Sequence, residues 1–288
     1  MNDSVQSMLE KYKPRSEQDF TNALKEIIQE IALLGLWRSK FYEYAALYGG
    51  SALRILYQLN RFSEDLDFSL LKPDINFTLE PYNRAICDEL SAFGFMVEVQ
   101  TKEKQINTRI ESAFIKANTK TQLMIIQAPK TLIQQTHNMR QLKIKMEVDT
   151  DPPAGFQTEV KTLLLPIPFS VKTYVRPDLL AGKIHALLCR PWKLRVKGRD
   201  WYDFIWYITH KIPLNIDHLR QRLIQTQAWV DNRPLTESDL KQLLYEKIHK
   251  TDFIQAKLDI APFIQDIDAL TLWSTDFFEA LVSQLTFI

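Results

Sequence analysis

Apolar residues recur at helical spacing across residues 17–40. Leu24, Ile27, Ile28 and Ile31 fall on one face, which predicts an amphipathic helix. Ala45 to Tyr48 then reads as a short buried strand ended by Gly49-Gly50. Ser51 is expected to cap the next helix, SALRILYQLN, whose Leu53, Leu56 and Leu59 share an apolar face. Residues 64–70 alternate: Leu66, Phe68 and Leu70 point one way, and Asp65, Asp67 and Ser69 the other. A helix is predicted near 77–92, and strands at 95–101, 109–116, 121–127 and 141–149. The proline-containing stretches DPPAGF and LLLPIPFSV punctuate the chain. From Pro177, a residue suited to a first helical turn, the pattern is helical: DLLAGKIHALLCR, then segments near 199–209, 216–227, 236–248, 252–258 and 274–286. Strands interleaved with helices and followed by a run of helices define an α+β class. The expected division is residues 1–175, holding the sheet, and residues 176–288, a helical region that completes a shared cleft.

Composition narrows the setting. The chain has 288 residues, 45% hydrophobic and 25% charged, with a net charge of +1, as in an ordinary globular protein. Global charge therefore gives no argument for nucleic acid, and any such argument must be local. No apolar run is long enough to span a bilayer, and the first twenty residues carry no secretory pattern, so a cytoplasmic protein with no membrane partner is expected. Only Cys87 and Cys189 occur, which fits a reducing compartment. The five histidines show no metal-ligand spacing.

Three constellations carry chemistry. In the first, GGSALRILYQLNRFSEDLDF, Asp65 and Asp67 are two apart on a predicted strand, so their carboxylates share a face roughly 7 Å apart at the backbone. Such a pair repels unless a cation offsets it, and magnesium (or manganese) takes one or two carboxylates while phosphate and water complete its shell. Upstream, Gly49 and Gly50 let backbone approach a ligand, and Ser51 opens a helix whose first amides attract phosphate. An isolated Asp-x-Asp usually marks a solvated strand face and an isolated Gly-Gly-Ser a turn; the two in this order place a phosphate cradle beside a metal clamp. In the second, LKIKMEVDT, the polar face carries Lys143, Lys145, Glu147 and Asp149. In the third, residues 177–208, six basic residues (Lys183, Arg190, Lys193, Arg195, Lys197 and Arg199) occur with no acidic one among them, and Asp200 and Asp203 follow one turn apart. A solvated basic loop between packed helices is the plain alternative. Trp201, Phe204, Ile205 and Ile208 read as core, and Trp192 as the better base-stacking candidate.

The order Gly-Gly-Ser, short helix, Asp-x-Asp resembles the signature of the nucleotidyltransferase superfamily that includes DNA polymerase beta and tRNA CCA-adding enzymes. YGGSALRILY followed by RFSEDLDFSL resembles, more narrowly, the AbiEii/AbiGii toxins of type IV toxin–antitoxin and abortive-infection systems, a group that includes the MenT-type toxins. The resemblance rests on residues 40–70 and 140–210; residues 75–135 and 212–288 match no motif. It implies a nucleotidyltransferase-like mixed sheet and transfer of a nucleotide from a nucleoside triphosphate, with Asp65 and Asp67 on the metal. It also implies a third carboxylate, Glu147 or Asp149, for a second metal and the attacking hydroxyl. Lys183 would contact the triphosphate, and Asp200 would orient Lys183 or the nucleotide. A cognate antitoxin is implied as partner. Some such relatives modify tRNA acceptor ends, which makes tRNA the expected acceptor and Arg190, Lys193, Arg195 and Lys197 its expected contacts. The rivals are a non-catalytic module of the same fold that binds a nucleotide or partner, and a transferase acting on a small molecule or protein.

Overall fold

A computed structural model describes residues 2–102, 109–190, 196–230, 233–264 and 266–288. The chain divides into two compact units. Unit 1 comprises residues 1–58, 62–152 and 159–173; unit 2 comprises 59–61, 153–158 and 174–288.

Unit 1 begins with helices α1 (Asp3–Tyr12) and α2 (Glu17–Arg38). Ser16 starts α2 through a reciprocal cap: its hydroxyl accepts from the Asp19 amide at 3.1 Å, and the Asp19 carboxylate accepts from the Ser16 amide at 3.0 Å. Leu24, Ile27, Ile28 and Ile31 are fully buried, as the periodicity predicts. Next come β1 (Ala45–Tyr48), α3 (Gly49–Tyr57), β2 (Leu66–Leu70), α4 (Glu80–Ala92), β3 (Glu98–Thr101) and β4 (Ile110–Asn118). Short helices α5 (Thr119–Ile125) and α6 (Lys130–Gln135) lead to β5 (Gln141–Asp149), β6 (Thr158–Leu163) and β7 (Phe169–Tyr174).

The seven strands form one mixed sheet in the order β3-β4-β5-β2-β1-β7-β6. β2 runs antiparallel to β1 and parallel to β5; β4 runs antiparallel to β5. The alternation in β5 is realised. Leu142, Ile144, Met146 and Val148 are buried, while Lys145, Glu147 and Asp149 on the other face are half-buried.

The structure departs from the sequence pattern at two places, each for an identifiable reason. Residues 121–127 form helix α5 instead of a strand, because the Asn118 side chain accepts from the Thr121 amide at 3.0 Å and caps a helical turn. Strand β6 lies between the proline stretches, where its exposed alternation gave no apolar signal, and β7 starts inside the second of them.

Unit 2 is helical: α7 (Arg176–Cys189), α8 (Gly198–Thr209), α9 (Ile216–Gln225), α10 (Glu237–His249), α11 (Phe253–Ile260) and α12 (Thr275–Ser283). Pro177 occupies the first turn of α7. Trp201 and Phe204 are fully buried, with the Trp201 ring 4.8 Å from Phe278. Trp201 and Phe204 are therefore core, as their spacing predicts. No helix among the described residues is long and apolar enough to cross a membrane.

Candidate active site

The carboxylates of unit 1 are gathered by strand register. Asp67 in β2 is directly opposite Glu147 in β5, and Ser69 is opposite Asp149. Paired residues on neighbouring strands stand about 4.8 Å apart and project to the same face. Asp65 lies just before β2, two residues from Asp67, and is half-buried like it. The segment before Asp65 is tied down: Gln29 Nε2 donates to the Ser63 carbonyl at 3.2 Å, and Lys25 pairs with Glu64 at 3.2 Å.

Ser51 is not the cap of α3. That helix starts at Gly49, with Tyr48 at the N-cap position and no side-chain cap hydrogen bond. Ser51 is instead fully buried inside the helix. Its hydroxyl lies 2.9 Å from the Ser63 hydroxyl and donates to the Asp65 carbonyl. The positive φ that a strand-to-helix turn needs falls on Gly49, at +74°, so the helix opens two residues before Ser51. The Ser51 hydroxyl thus meets the backbone of the Asp65 segment.

Gly49 also faces Asp67. A Cβ at Gly49 would stand 3.0 Å from Asp67 Oδ2, so the missing side chain leaves that carboxylate its space. The start of α3 next to a carboxylate is electrostatically favourable. With this cradle, Asp65 and Asp67 fit a hard cation that draws its remaining ligands from phosphate and water. Among the described residues, no three His, Cys, Asp or Glu groups converge on one metal-sized site. The reason is visible in β5. Glu147 is engaged by Lys145 at 2.7 Å and by the Ser112 hydroxyl at 3.4 Å, and Asp149 accepts the Asp151 amide at 3.0 Å.

Gly49→Ala is expected to lower stability by about 1–2 kcal/mol through backbone strain and to push metal-dependent activity to higher magnesium, because the new methyl displaces the Asp67 carboxylate. Gly94→Ala is the control, since Gly94 also has positive φ (+90°) but nothing within 4 Å of a Cβ. A melting curve and a magnesium titration read both effects; equal magnesium dependence in the two variants contradicts the cradle.

In unit 2 the basic and acidic residues form an alternating chain. Lys183 Nζ is 2.7 Å from Asp200 Oδ1 and 2.7 Å from Asp203 Oδ2. Arg61 grips Asp203 with both ends of its guanidinium, at 2.6 and 2.7 Å. Arg190 Nη1 contacts Asp200 Oδ2 at 2.9 Å. Arg61, Asp203, Lys183 and Asp200 are all buried, Asp203 completely. Burial alone would raise the Asp203 carboxyl, but Arg61 and Lys183 outweigh it and hold it below the ordinary carboxylate range. The Arg61 guanidinium, which burial would lower, is pushed up by Asp203.

Sequence reasoning gave Arg61 and Asp203 no role. The (i, i+3) spacing of Asp200 and Asp203 on one helix was the available signal. For Arg61, 142 residues from its partner, there was none. Of the basic run, Trp192, Lys193 and Arg195 lie outside the described residues. Arg190 is half-exposed beside Asp200, Lys197 occupies the N-cap position of α8, and Arg199 lies over the Phe263 ring at 4.5 Å.

A mixed sheet carrying an Asp pair beside a glycine-started helix defines the nucleotidyltransferase class. The chain belongs to the AbiEii family, the nucleotidyl transferase toxins of type IV toxin–antitoxin systems, whose profile matches residues 31–281. Among solved structures it is similar to JHP933 from Helicobacter pylori (TM-score 0.52, 16% identity, 90% of this chain and 89% of that one), a likeness of fold. A second H. pylori protein, described as a candidate nucleotidyltransferase, gives a TM-score of 0.46 at 18% identity over 89% of this chain and 90% of that one. No curated protein matches the chain.

Proposed function

We infer that the chain transfers a nucleoside monophosphate from a nucleoside triphosphate to an RNA hydroxyl. The observation that carries this reading is the Asp67 carboxylate seated over Gly49, at the start of α3 and in register with Glu147. An acceptor oxygen attacks the α-phosphorus, a new P–O bond forms, and the bond to the bridging oxygen breaks to release pyrophosphate. A magnesium (or manganese) ion on Asp65 and Asp67 would supply charge stabilisation to the triphosphate oxygens. The proton of the attacking hydroxyl passes to Glu147, preferred over Asp149 because Glu147 is the residue opposite Asp67. The amides of Gly49 and Gly50 receive phosphate. Ser51 serves the nucleotide site indirectly, through the Asp65 segment whose carbonyl its hydroxyl holds. Lys183 offsets charge on the leaving pyrophosphate, and Asp200 and Asp203 fix its ammonium.

The acceptor proposed is the 3′ end of tRNA, with Arg190, Lys193, Arg195 and Lys197 along its phosphates, and the partner proposed is a cognate antitoxin. The family and the local excess of basic residues support both. Purified protein with magnesium, total tRNA and each labelled triphosphate in turn is expected to put label on tRNA. Reversing charge at Lys193, Arg195 and Lys197 together should weaken labelling and flatten its log–log salt dependence by about 2, at about 0.7 per lost single-strand phosphate contact. Expression of the chain alone should slow bacterial growth, and Lys183→Ala should relieve it. Label on a small molecule or on protein, with none on tRNA, rules out this acceptor. No pyrophosphate from any triphosphate rules out the transferase reading and leaves a binding module.

A further inference from the structure

Unit 2 holds a cavity of about 560 Å³ between α7, α9 and α10. None of Asp65, Asp67, Glu147 or Lys183 lines it. Its wall is apolar where Leu188, Leu223 and Leu243 meet. Neutral polar groups sit beside that wall. His185 Nε2 is 3.0 Å from the Thr226 hydroxyl. Burial, with Arg222 and Arg190 adding to it, lowers His185 to about 4, so the imidazole is uncharged at neutral pH and offers one donor and one acceptor. Burial pushes the Cys189 thiol up, which makes it a neutral wall and not a nucleophile.

Cations gather at the α10 side. Lys247 and Lys250 stand three residues apart at the end of that helix, and Glu246 and Arg190 also line the cavity. Lys247 is partly withdrawn from water, which lowers its ammonium, and it donates to the Leu188 carbonyl at 3.4 Å. Arg190 is held by Asp200. Lys247 and Lys250 are the ammonium groups on the α10 side of the cavity.

We propose that this cavity binds a nucleoside monophosphate, with the base against Leu188, Leu223 and Leu243 and the phosphate on Lys247 and Lys250. A purely apolar ligand would make no use of the two ammonium groups, and inorganic phosphate would make no use of the leucine wall. A flat heteroaromatic ring uses the apolar surface and can exchange hydrogen bonds with His185 and Thr226. The volume falls in the range of small-ligand sites, about 300–1,000 Å³. The proposal is independent of the transferase reading, because it invokes no residue assigned to metal or triphosphate.

The test is calorimetric titration of the full chain with AMP, GMP, CMP and UMP, each in EDTA so that no divalent metal contributes. At least one should bind, and its nucleoside and inorganic phosphate should each bind at least tenfold more weakly. Lys250→Glu, at an exposed position, should weaken binding at least tenfold, as loss of a charge-assisted contact does. Leu243→Trp, which fills the cavity, should abolish it. Asp67→Asn should leave it unchanged. Absence of binding by all four nucleotides overturns the proposal. So does binding lost in Asp67→Asn yet retained in Lys250→Glu and Leu243→Trp, each shown folded by its melting curve.

Discussion

Asp67→Asn is expected to lower turnover about 10³-fold, roughly 4 kcal/mol of transition-state stabilisation, while the chain melts within about 1 kcal/mol of wild type. The two halves have separate causes. The amide has the size of the carboxylate and keeps its seat over Gly49, so packing is preserved. Two small electrostatic changes then oppose each other: relief of repulsion from Asp65 is favourable, and loss of a negative charge at the start of α3 costs about 0.3–1 kcal/mol. Catalysis has no such compensation, because a neutral amide cannot offset a divalent cation. Asp65→Asn should behave alike. Glu147→Gln should cost less, about 10²-fold, because solvent or Asp149 can take the proton. Pyrophosphate release with each triphosphate, beside a melting curve, measures both halves; a folded Asp67→Asn chain with normal turnover removes the metal assignment.

The elements that hold this carboxylate were readable because each has a local cause. The alternation Leu66, Phe68, Leu70 and the Gly-Gly break are near-neighbour patterns, and they place a strand and a helix start within a residue or two. What failed was finer or longer in range. Ser51 looked like a cap because serine is a good one, but a positive φ at Gly49 had already started the helix. The order of strands places Glu147 opposite Asp67 across 80 residues of chain, and no local pattern encodes that pairing. The same holds for Arg61. Its neighbours Asn60 and Phe62 gave no reason to expect a buried guanidinium, and its partner lies on α8. Burial of charge is decided by the whole fold, so the pattern of Lys183 and Asp200 showed a candidate site but not the residues that hold it.

Asp203→Ala is expected to destabilise unit 2 by about 3–5 kcal/mol, a fall of about 10–20 °C in its melting temperature. Removing the carboxylate takes from the buried Arg61 guanidinium and Lys183 ammonium the oxygens that engage them both, and leaves Asp200 against Lys183. The cost is that of buried positive charge in excess of its carboxylates and exceeds what the intact pair contributes. Replacing both partners, Arg61→Met with Asp203→Leu, should recover most of the loss, since a hydrophobic pair avoids desolvation altogether. The linkage has a definite sign. The folded carboxyl titrates below the unfolded one, so its contribution is complete above the unfolded value, about 3.9, and is lost as pH falls through the lower folded value. The double variant should therefore flatten the acid limb of the stability curve while matching wild type near neutrality. Turnover separates structure from function here. If Asp203 acts only in stability, the double variant regains activity with its fold. If Asp203 positions Lys183, the refolded variant stays slow, with kcat reduced more than KM is raised, because the ammonium keeps its charge but loses one of the two oxygens that aim it. A double variant with wild-type stability and wild-type kcat would remove Asp203 from the site.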